Sequence, residues 1–377
     1  TVSAKFFYGE RLYSNTKDQG VIARGEMNLN SRWTAFGAVG RALHSYDGFI
    51  FGTRPVWTAA NAATGNATGT AYNSWGAYQT TAAEAGVRGQ FATGSVAHRL
   101  TLAANVLQYE GGSRNNGTAA INSNLFNPTP ITMPAGAAAS TFKKFNDDVM
   151  TALSAVDTLA LLDDKLQLTL GLRAQQVHQK LANYQETAVT PLVGVVAKPW
   201  GEQVSLYGNY VEGLSAGTTV QTPYANAGET FKPYQSKQME VGVKWQTGDI
   251  LQTVSLFQIS KPALMVVNNV QRPDGEQRNR GVEWMVSGPL NKQVALQGGV
   301  AYTKAEQVKT TGAVNQGLAA FGVPRLTLNL GADWQVPAVQ GLTLNGRVNY
   351  TGAQWLTGDN TVKLPAGATL DLGAKYA

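Results

Sequence analysis

The sequence predicts an all-β protein, a transmembrane antiparallel β-barrel. Three observations predict it: apolar and polar residues alternate at period two along most of the chain, the joins between these segments alternate short and long, and charge is scarce. Charged residues make up 14% of the chain, against about 25% in a soluble domain, while 43% of residues are hydrophobic. No apolar run reaches the roughly 18 residues of a transmembrane helix, so a membrane crossing here has to be made by strands.

In chain order the strands are read at about 2–8, 20–29, 32–44, 82–92, 97–109, 148–162, 165–178, 189–198, 202–212, 236–246, 250–260, 277–287, 292–307, 324–336, 341–353 and 367–377, about 16 in all. The clearest patterns carry the reading. Leu166, Leu168, Leu170 and Leu172 alternate with Gln167, Thr169, Gly171 and Arg173. Met239, Val241, Val243 and Trp245 alternate with Gln238, Glu240, Gly242 and Lys244. Leu326, Leu328, Leu330, Ala332 and Trp334 alternate with Arg325, Thr327, Asn329, Gly331 and Asp333. Leu342 to Tyr350 and Leu370 to Tyr376 repeat the pattern. Two segments are weakly patterned. In 250–260 both faces mix apolar and polar residues, and 148–162 also reads as a helix; both are taken as strands from their neighbours.

Alternation alone does not say which face is buried, because a soluble sandwich alternates too. The joins decide. Asn30-Ser31, 93–96, Asp163-Asp164, 199–201, 247–249, 288–291 and 337–340 are short. The joins 9–19, 45–81, 110–147, 179–188, 213–235, 261–276, 308–323 and 354–366 are long. Tight periplasmic turns opposite long extracellular loops are the habit of outer-membrane barrels. The apolar set Leu166, Leu168, Leu170, Val241, Val243, Leu326, Leu328, Leu342 and Leu344 is then expected to face lipid. Gln167, Arg173, Glu240, Asn329 and Arg347 are expected to face the lumen.

Several segments resemble TonB-dependent siderophore receptors of the ferrichrome-receptor type. They are Lys198-Pro-Trp-Gly-Glu-Gln-Val-Ser-Leu-Tyr-Gly-Asn-Tyr-Val-Glu-Gly-Leu-Ser215, Tyr234-Gln-Ser-Lys-Gln-Met-Glu-Val-Gly-Val-Lys244, Asp274-Gly-Glu-Gln-Arg-Asn-Arg-Gly-Val-Glu283, Gly322-Val-Pro-Arg325 and Leu364-Pro-Ala-Gly-Ala-Thr-Leu-Asp-Leu-Gly-Ala-Lys-Tyr376, with Asp157-Thr-Leu and Leu166 to Arg173 upstream. Residues 1–147 share only the family's strand and loop rhythm. The resemblance implies a barrel of about 22 strands around an N-terminal plug. Residues 1–377 are therefore expected to be one partial barrel domain, without the plug, the first strands and the last strands, and with an unpaired edge at each end. It also implies a receptor for ferric siderophores in the outer membrane of a Gram-negative bacterium, coupled to TonB through the plug. The expected surroundings are outer-membrane lipid and lipopolysaccharide, and the expected state a monomer. No cofactor is expected, iron arriving only within the siderophore. A passive porin of about 16 strands is the alternative reading.

Other classes are disfavoured. Cysteine is absent, which excludes a disulfide framework, a thiolate metal site and a cysteine nucleophile. The formal charge of +6 comes from 30 basic and 24 acidic residues without a dense basic block, so no nucleic-acid partner is expected. The histidines His44, His98 and His178 lie far apart near strand ends and suit rim or lumen positions better than a catalytic triad. Asp163-Asp164 reads as a turn, and Asp147-Asp148 as solvated rim charge rather than a cation site.

The ligand site is expected in the outer loops. A large, flat ferric chelate offers apolar surface for rings to stack on and charge for arginine to answer. Trp57, Tyr72, Trp75 and Tyr78, all within the 45–81 loop, and Arg114 in the next long loop are the candidate ligand-binding residues. Tyr46, Tyr109 and Trp355, beside strand ends, are expected in the aromatic girdle at the head-group level instead.

Overall fold

The computed structural model describes residues 14–48, 64–124, 126–127 and 141–377. Within them a single antiparallel sheet of 15 strands dominates. The strands are β1 (Ser14–Asn28), β2 (Trp33–Gly48), β3 (Asn66–Thr93), β4 (Val96–Asn124), β5 (Lys143–Leu161), β6 (Leu166–Gln179), β7 (Tyr184–Ala197), β8 (Val204–Ser215), β9 (Tyr234–Thr247), β10 (Ile250–Val267), β11 (Val270–Pro289), β12 (Val294–Lys309), β13 (Leu326–Gln335), β14 (Leu342–Thr351) and β17 (Gly367–Tyr376), with β15 (Gln354–Trp355) and β16 (Lys363–Leu364) pairing as a small separate ribbon. Each sheet strand pairs with the next in sequence, in up-and-down order. The predicted strand at 2–8 lies outside the described residues. The other predicted strands all fall on strands of the sheet, including the weakly patterned 148–162 and 250–260, which are β5 and β10.

The pairing register lets one face be followed from strand to strand. Leu168 lies opposite Val195, which lies opposite Gly208, then Val241, Leu256, Val282, Tyr302 and Leu326 in turn. Leu328 opposes Val300 and Tyr350, and Leu344 opposes Trp334. The nine positions expected to face lipid therefore share one face. Arg173, Glu240, Asn329 and Arg347 lie on the other, opposite Thr190, Asn209, Asn349 and Asp371 respectively. The apolar face leaves large side chains bare: Leu172 is 60% exposed and Leu372 77%. Water would not tolerate so wide an apolar surface, and lipid requires it, so this face is the outside of a barrel wall and the polar face lines its lumen.

The outer face also carries its own boundaries. Trp33, Phe91, Trp245, Trp284 and Trp334 lie on it next to the short turns, and Tyr210, Tyr302 and Tyr350 lie on it towards the opposite end. From Leu342 to Tyr350 the strand covers about 26 Å at roughly 3.3 Å per residue, close to an apolar band about 25 Å tall between two aromatic girdles. Above the tyrosines the same face turns charged, with Lys304 2.9 Å from Glu306, and Lys144 and Lys180 2.8 and 3.0 Å from Asp147.

The short turns behave as expected. Asn30 accepts the backbone N–H groups of Arg32 and Trp33 at 2.8 and 3.0 Å, and Asn291 does the same for Gln293 and Val294. Asp163 and Asp164 both have positive φ, as a tight turn built on Asp allows.

The long loops are corrected. The expected loops 45–81 and 110–147 are largely paired strand, since β3 and β4 stay in register from Thr93↔Val96 out to Asn66↔Asn124, with one shift between Tyr72 and Ser74. The expected loop 261–276 shrinks to a two-residue turn, Asn268-Asn269, with both residues at positive φ. Past the lipid boundary both faces of a strand meet water. Period two then disappears from the sequence while the hydrogen-bond ladder continues. The same extension explains why these strands greatly exceed the 9–11 residues a crossing needs.

Among the described residues β1 pairs only with β2 and β17 only with β14, and β17 is exposed along its whole length. An unpaired edge facing lipid costs several kcal/mol per backbone group.

Candidate functional site

At the extracellular end of the lumen face, five strands bring aromatic and acidic side chains together. Register places Asp18 of β1 opposite His44 of β2, and His44 opposite Tyr78 of β3. Tyr46 lies opposite Gly76, Tyr78 opposite Gly111, and Tyr109 of β4 opposite Asp148 of β5. All point to the lumen, because each lies an even number of residues along its strand from a lumen position traced through Arg173, Ser154, Ala103, Gly86 and Phe36. Tyr78 stacks on Tyr109 with ring centroids 6.1 Å apart and planes 9° apart, and on Tyr46 at 6.2 Å and 28°. His44 sits 6.2 Å from the Tyr78 ring, and its Nδ1 lies 2.6 Å from Asp18 Oδ1. Asp18, His44, Tyr78, Thr80 and Tyr109 line a hollow of about 550 Å³.

Burial, with the neighbouring Tyr46 and Tyr109, pushes the Tyr78 phenol above its ordinary value. Tyr78 therefore stays protonated at any physiological pH and can donate a hydrogen bond. Burial likewise raises the carboxyl of Asp148, with Asp147 adding to the effect and Asn146 opposing it. A carboxyl raised by folding stabilises the fold below its unfolded value and loses that contribution as pH rises through its folded value. At neutral pH the ionised Asp148 is thus a burden. Asp148→Asn is expected to raise the melting temperature at pH 7, with the gain fading as pH falls through the carboxylate range. Thermal melts of both forms across pH check this, and a variant less stable at pH 7 would contradict it.

The candidate residues read from sequence separate. Trp57 lies outside the described residues. Of Tyr72 only the backbone is described, paired with Thr118. Tyr78 joins the lumen cluster. Trp75 and Arg114 oppose each other on the outer face, the guanidinium 5.1 Å from the ring centroid, with Phe142 edge-on to Trp75 at 5.7 Å. Tyr72, Trp75, Tyr78 and Arg114 lie on paired strands rather than in loops, and the step of three from 75 to 78 puts Trp75 and Tyr78 on opposite faces. Tyr46 and Tyr109, expected in the girdle, face the lumen. Trp355, expected there too, lies in the outer ribbon under the Lys363 ammonium at 5.2 Å. Asp147 and Asp148 also part: Asp147 joins Lys144 and Lys180 outside, and Asp148 joins Tyr109 inside. The signal that finds the cluster is parity. His44 and Tyr46 alternate within β2, in step with the lumen positions lower on that strand.

Deeper in the lumen the wall is polar and ordered. Glu26 bridges Arg24 and Arg88 at 2.7 and 2.6 Å, and the Tyr207 hydroxyl donates to Glu240 at 2.6 Å with the Lys244 ammonium 5.1 Å from the Tyr207 ring centroid. Asn329, Asn349 and Asp371 form a hydrogen-bonded ladder. Among the described residues no group of three or more His, Cys, Asp or Glu is placed to hold a metal ion.

At the other end of the extracellular rim the segments tie to one another. Loop 216–233 buries Val220 and Phe231, donates from the Gly217 N–H to the lumen-facing Tyr184 hydroxyl at 3.2 Å, and meets the tip of the β10–β11 arm through Ala225 N–H to the Asn269 carbonyl at 2.8 Å. Gln307 and Asn360 tie the 310–325 loop to the ribbon of β15 and β16.

A model of the family described as TonB dependent receptor-like, beta-barrel matches residues 2–377. The chain is similar to the ferrichrome receptor FcuA of Yersinia enterocolitica, 32% identical over 396 residues that span 99% of this chain and 51% of that protein. It is 29% identical over 181 residues to the ferrichrome outer membrane transporter/phage receptor of Escherichia coli, covering 46% of this chain and 23% of that one. Among solved structures, the ferric preacinetobactin receptor BauA of Acinetobacter baumannii aligns with a TM-score of 0.82 at 32% identity over 96% of this chain and 56% of that chain. The chain spans about half the length of the first of these relatives.

Proposed function

From the premise that the chain belongs to the TonB dependent receptor-like β-barrel family, we propose that it is the barrel of an outer-membrane receptor that takes up ferric siderophores, its ligand held at the extracellular end of the lumen. That family is one of outer-membrane receptors and transporters of Gram-negative bacteria, and it disfavours the porin alternative. The observation that supports the siderophore reading is the stacked set Tyr46, Tyr78 and Tyr109 beside His44 on the lumen wall. Stacked phenols present flat apolar faces with hydroxyl donors at their edges. A ferric chelate, apolar in its backbone and oxygen-rich around the metal, matches both. The relatives named above as ferrichrome and ferric preacinetobactin receptors support the same ligand class.

The chemistry asked of the protein is binding, not catalysis, and iron is cargo inside the chelate. Passage would depend on a plug in the lumen and on TonB, the polar wall of Glu26, Arg88, Glu240 and Asn329 offering partners for such a plug. We assign Trp75 and Arg114, on the outer face, to the approach of the ligand, and keep Trp57 and Tyr72 as proposed contacts of the outer segments. Lipid and lipopolysaccharide surround the outer face, and a monomer suffices.

The test is uptake of radiolabelled ferric siderophores under iron limitation in cells expressing the protein as encoded. Uptake of at least one ferric hydroxamate or catecholate, lost on deletion of TonB, is the expected result. Passive diffusion of small solutes without siderophore uptake would overturn the reading.

A further inference from the structure

We infer that Gly76 and Gly111 are positioning residues of the ligand pocket, each an empty slot that holds a tyrosine ring flat against the lumen wall. The inference rests on the ligand reading above. A Cβ at Gly111 would stand 2.2 Å from Cδ1 and 2.7 Å from Cε1 of Tyr78. A Cβ at Gly76 would stand 2.3 to 2.5 Å from Cζ, Cε1 and Oη of Tyr46. In both cases the nearest atoms belong to the ring of the residue directly opposite in the ladder, and no backbone atom is among them.

This separates the two positions from other glycines that lie under rings on the same face. A Cβ at Gly86, Gly242 or Gly281 would also strike a backbone carbonyl, of Leu102 at 2.4 Å, Val254 at 2.6 Å or Tyr302 at 2.3 Å. There glycine is needed for the strands to approach at all. At 76 and 111 only the ring has to move. Neither glycine has the positive φ that would strain an alanine.

A ring evicted from its slot has one way to go. The sheet is behind it, its stacking neighbours flank it, and the lumen is in front. To reach an ordinary contact of 3.4 Å from the present 2.2 Å, the Tyr78 ring has to shift by about 1 Å or swing away from Tyr109. Protein interiors accommodate an added methyl only by such displacement. The two slots thus set how far the rings project and, with that, the size of chelate the mouth admits.

The test uses the protein in detergent and two probes, a compact ferric trihydroxamate and a bulkier trihydroxamate with the same iron centre. Affinity is read by quenching of intrinsic fluorescence, and the ring itself by the 19F resonance of fluorotyrosine at position 78. Heat-modifiable mobility on gels establishes that each variant is folded. Gly111→Ala is expected to move the resonance without ligand and to weaken the bulkier probe about tenfold, and the compact one less. In a Tyr78→Ala background, Gly111→Ala is expected to add nothing further. An unmoved resonance, or an equal loss in the Tyr78→Ala background, overturns the slot role. If the resonance moves while Tyr78→Ala and Gly111→Ala both leave affinity unchanged, the slot stands as a feature of the wall and the ligand reading falls. Gly76→Ala, acting on Tyr46, repeats the test at a second site where a folding defect at 111 cannot interfere.

Discussion

Leu330→Lys is expected to destabilise the membrane-inserted barrel by about 2–4 kcal/mol. Leu330 lies between Gly298 and Val348 on neighbouring strands, and Leu328 and Ala332 flank it on its own. This is the lipid face, midway between the row that holds Tyr302 and the one that holds Trp334. A lysine there either strips its ammonium of water or bends its stem toward the head groups, and both cost. The residue next to it gives the control. Asn329 points into the lumen and bonds Asn349, so Asn329→Lys loses one hydrogen bond, about 1 kcal/mol, and keeps its charge in a polar space. Denaturant titrations of the two variants in phospholipid vesicles read the difference. Equal penalties at 330 and 329 would mean that the faces have been assigned wrongly.

Tyr78→Ala combined with Tyr109→Ala is expected to weaken binding of the cognate ferric siderophore by ten- to a hundredfold. The two rings stack at 6.1 Å, and each aromatic contact is worth about 0.5–1.5 kcal/mol beyond its area. Losing two amounts to about 1–3 kcal/mol, and tenfold in affinity corresponds to about 1.4 kcal/mol. Trp75→Ala is the informative contrast. Its ring lies on the outer face, under Arg114 and against Phe142, so its loss is expected to leave equilibrium affinity within about twofold. Quenching titrations on folded protein decide both. A double variant that binds as tightly as the parent would return the lumen tyrosines to wall packing, and a large loss at Trp75 would move the site to the outer face.

The strands were legible because lipid imposes a one-dimensional rule. Every residue of a crossing faces either hydrocarbon or lumen, so its polarity reports its face directly. Leu166 to Arg173 and Leu326 to Trp334 show the rule without exception, and the weakly patterned 250–260 was legible from its flanking turns. Above the lipid the rule lapses. Beyond the lipid both faces of a strand can meet water, so the sequence over 66–72 and 112–124 shows no alternation, and the β3–β4 arm read as loop although its backbone is paired out to Asn66↔Asn124 with one register shift.

The proposed ligand residues were only half legible, for the same reason. Aromatic density around 72–78 pointed to the strand that carries Tyr78, but a cluster in sequence is not a cluster in space on a strand. Trp75 and Tyr78, three residues apart, look out from opposite sides of the wall. Tyr46 and Tyr109, far from Tyr78 in sequence, share its face because hydrogen-bond register brings them level. Composition, alternation and turn chemistry by themselves determined a lipid-spanning antiparallel barrel and the lipid or lumen face of each patterned residue. Only the tertiary structure decided how far the strands run beyond the membrane and which rings meet, because strand pairing depends on register between distant segments, and a shift of one residue exchanges the faces of every side chain that follows.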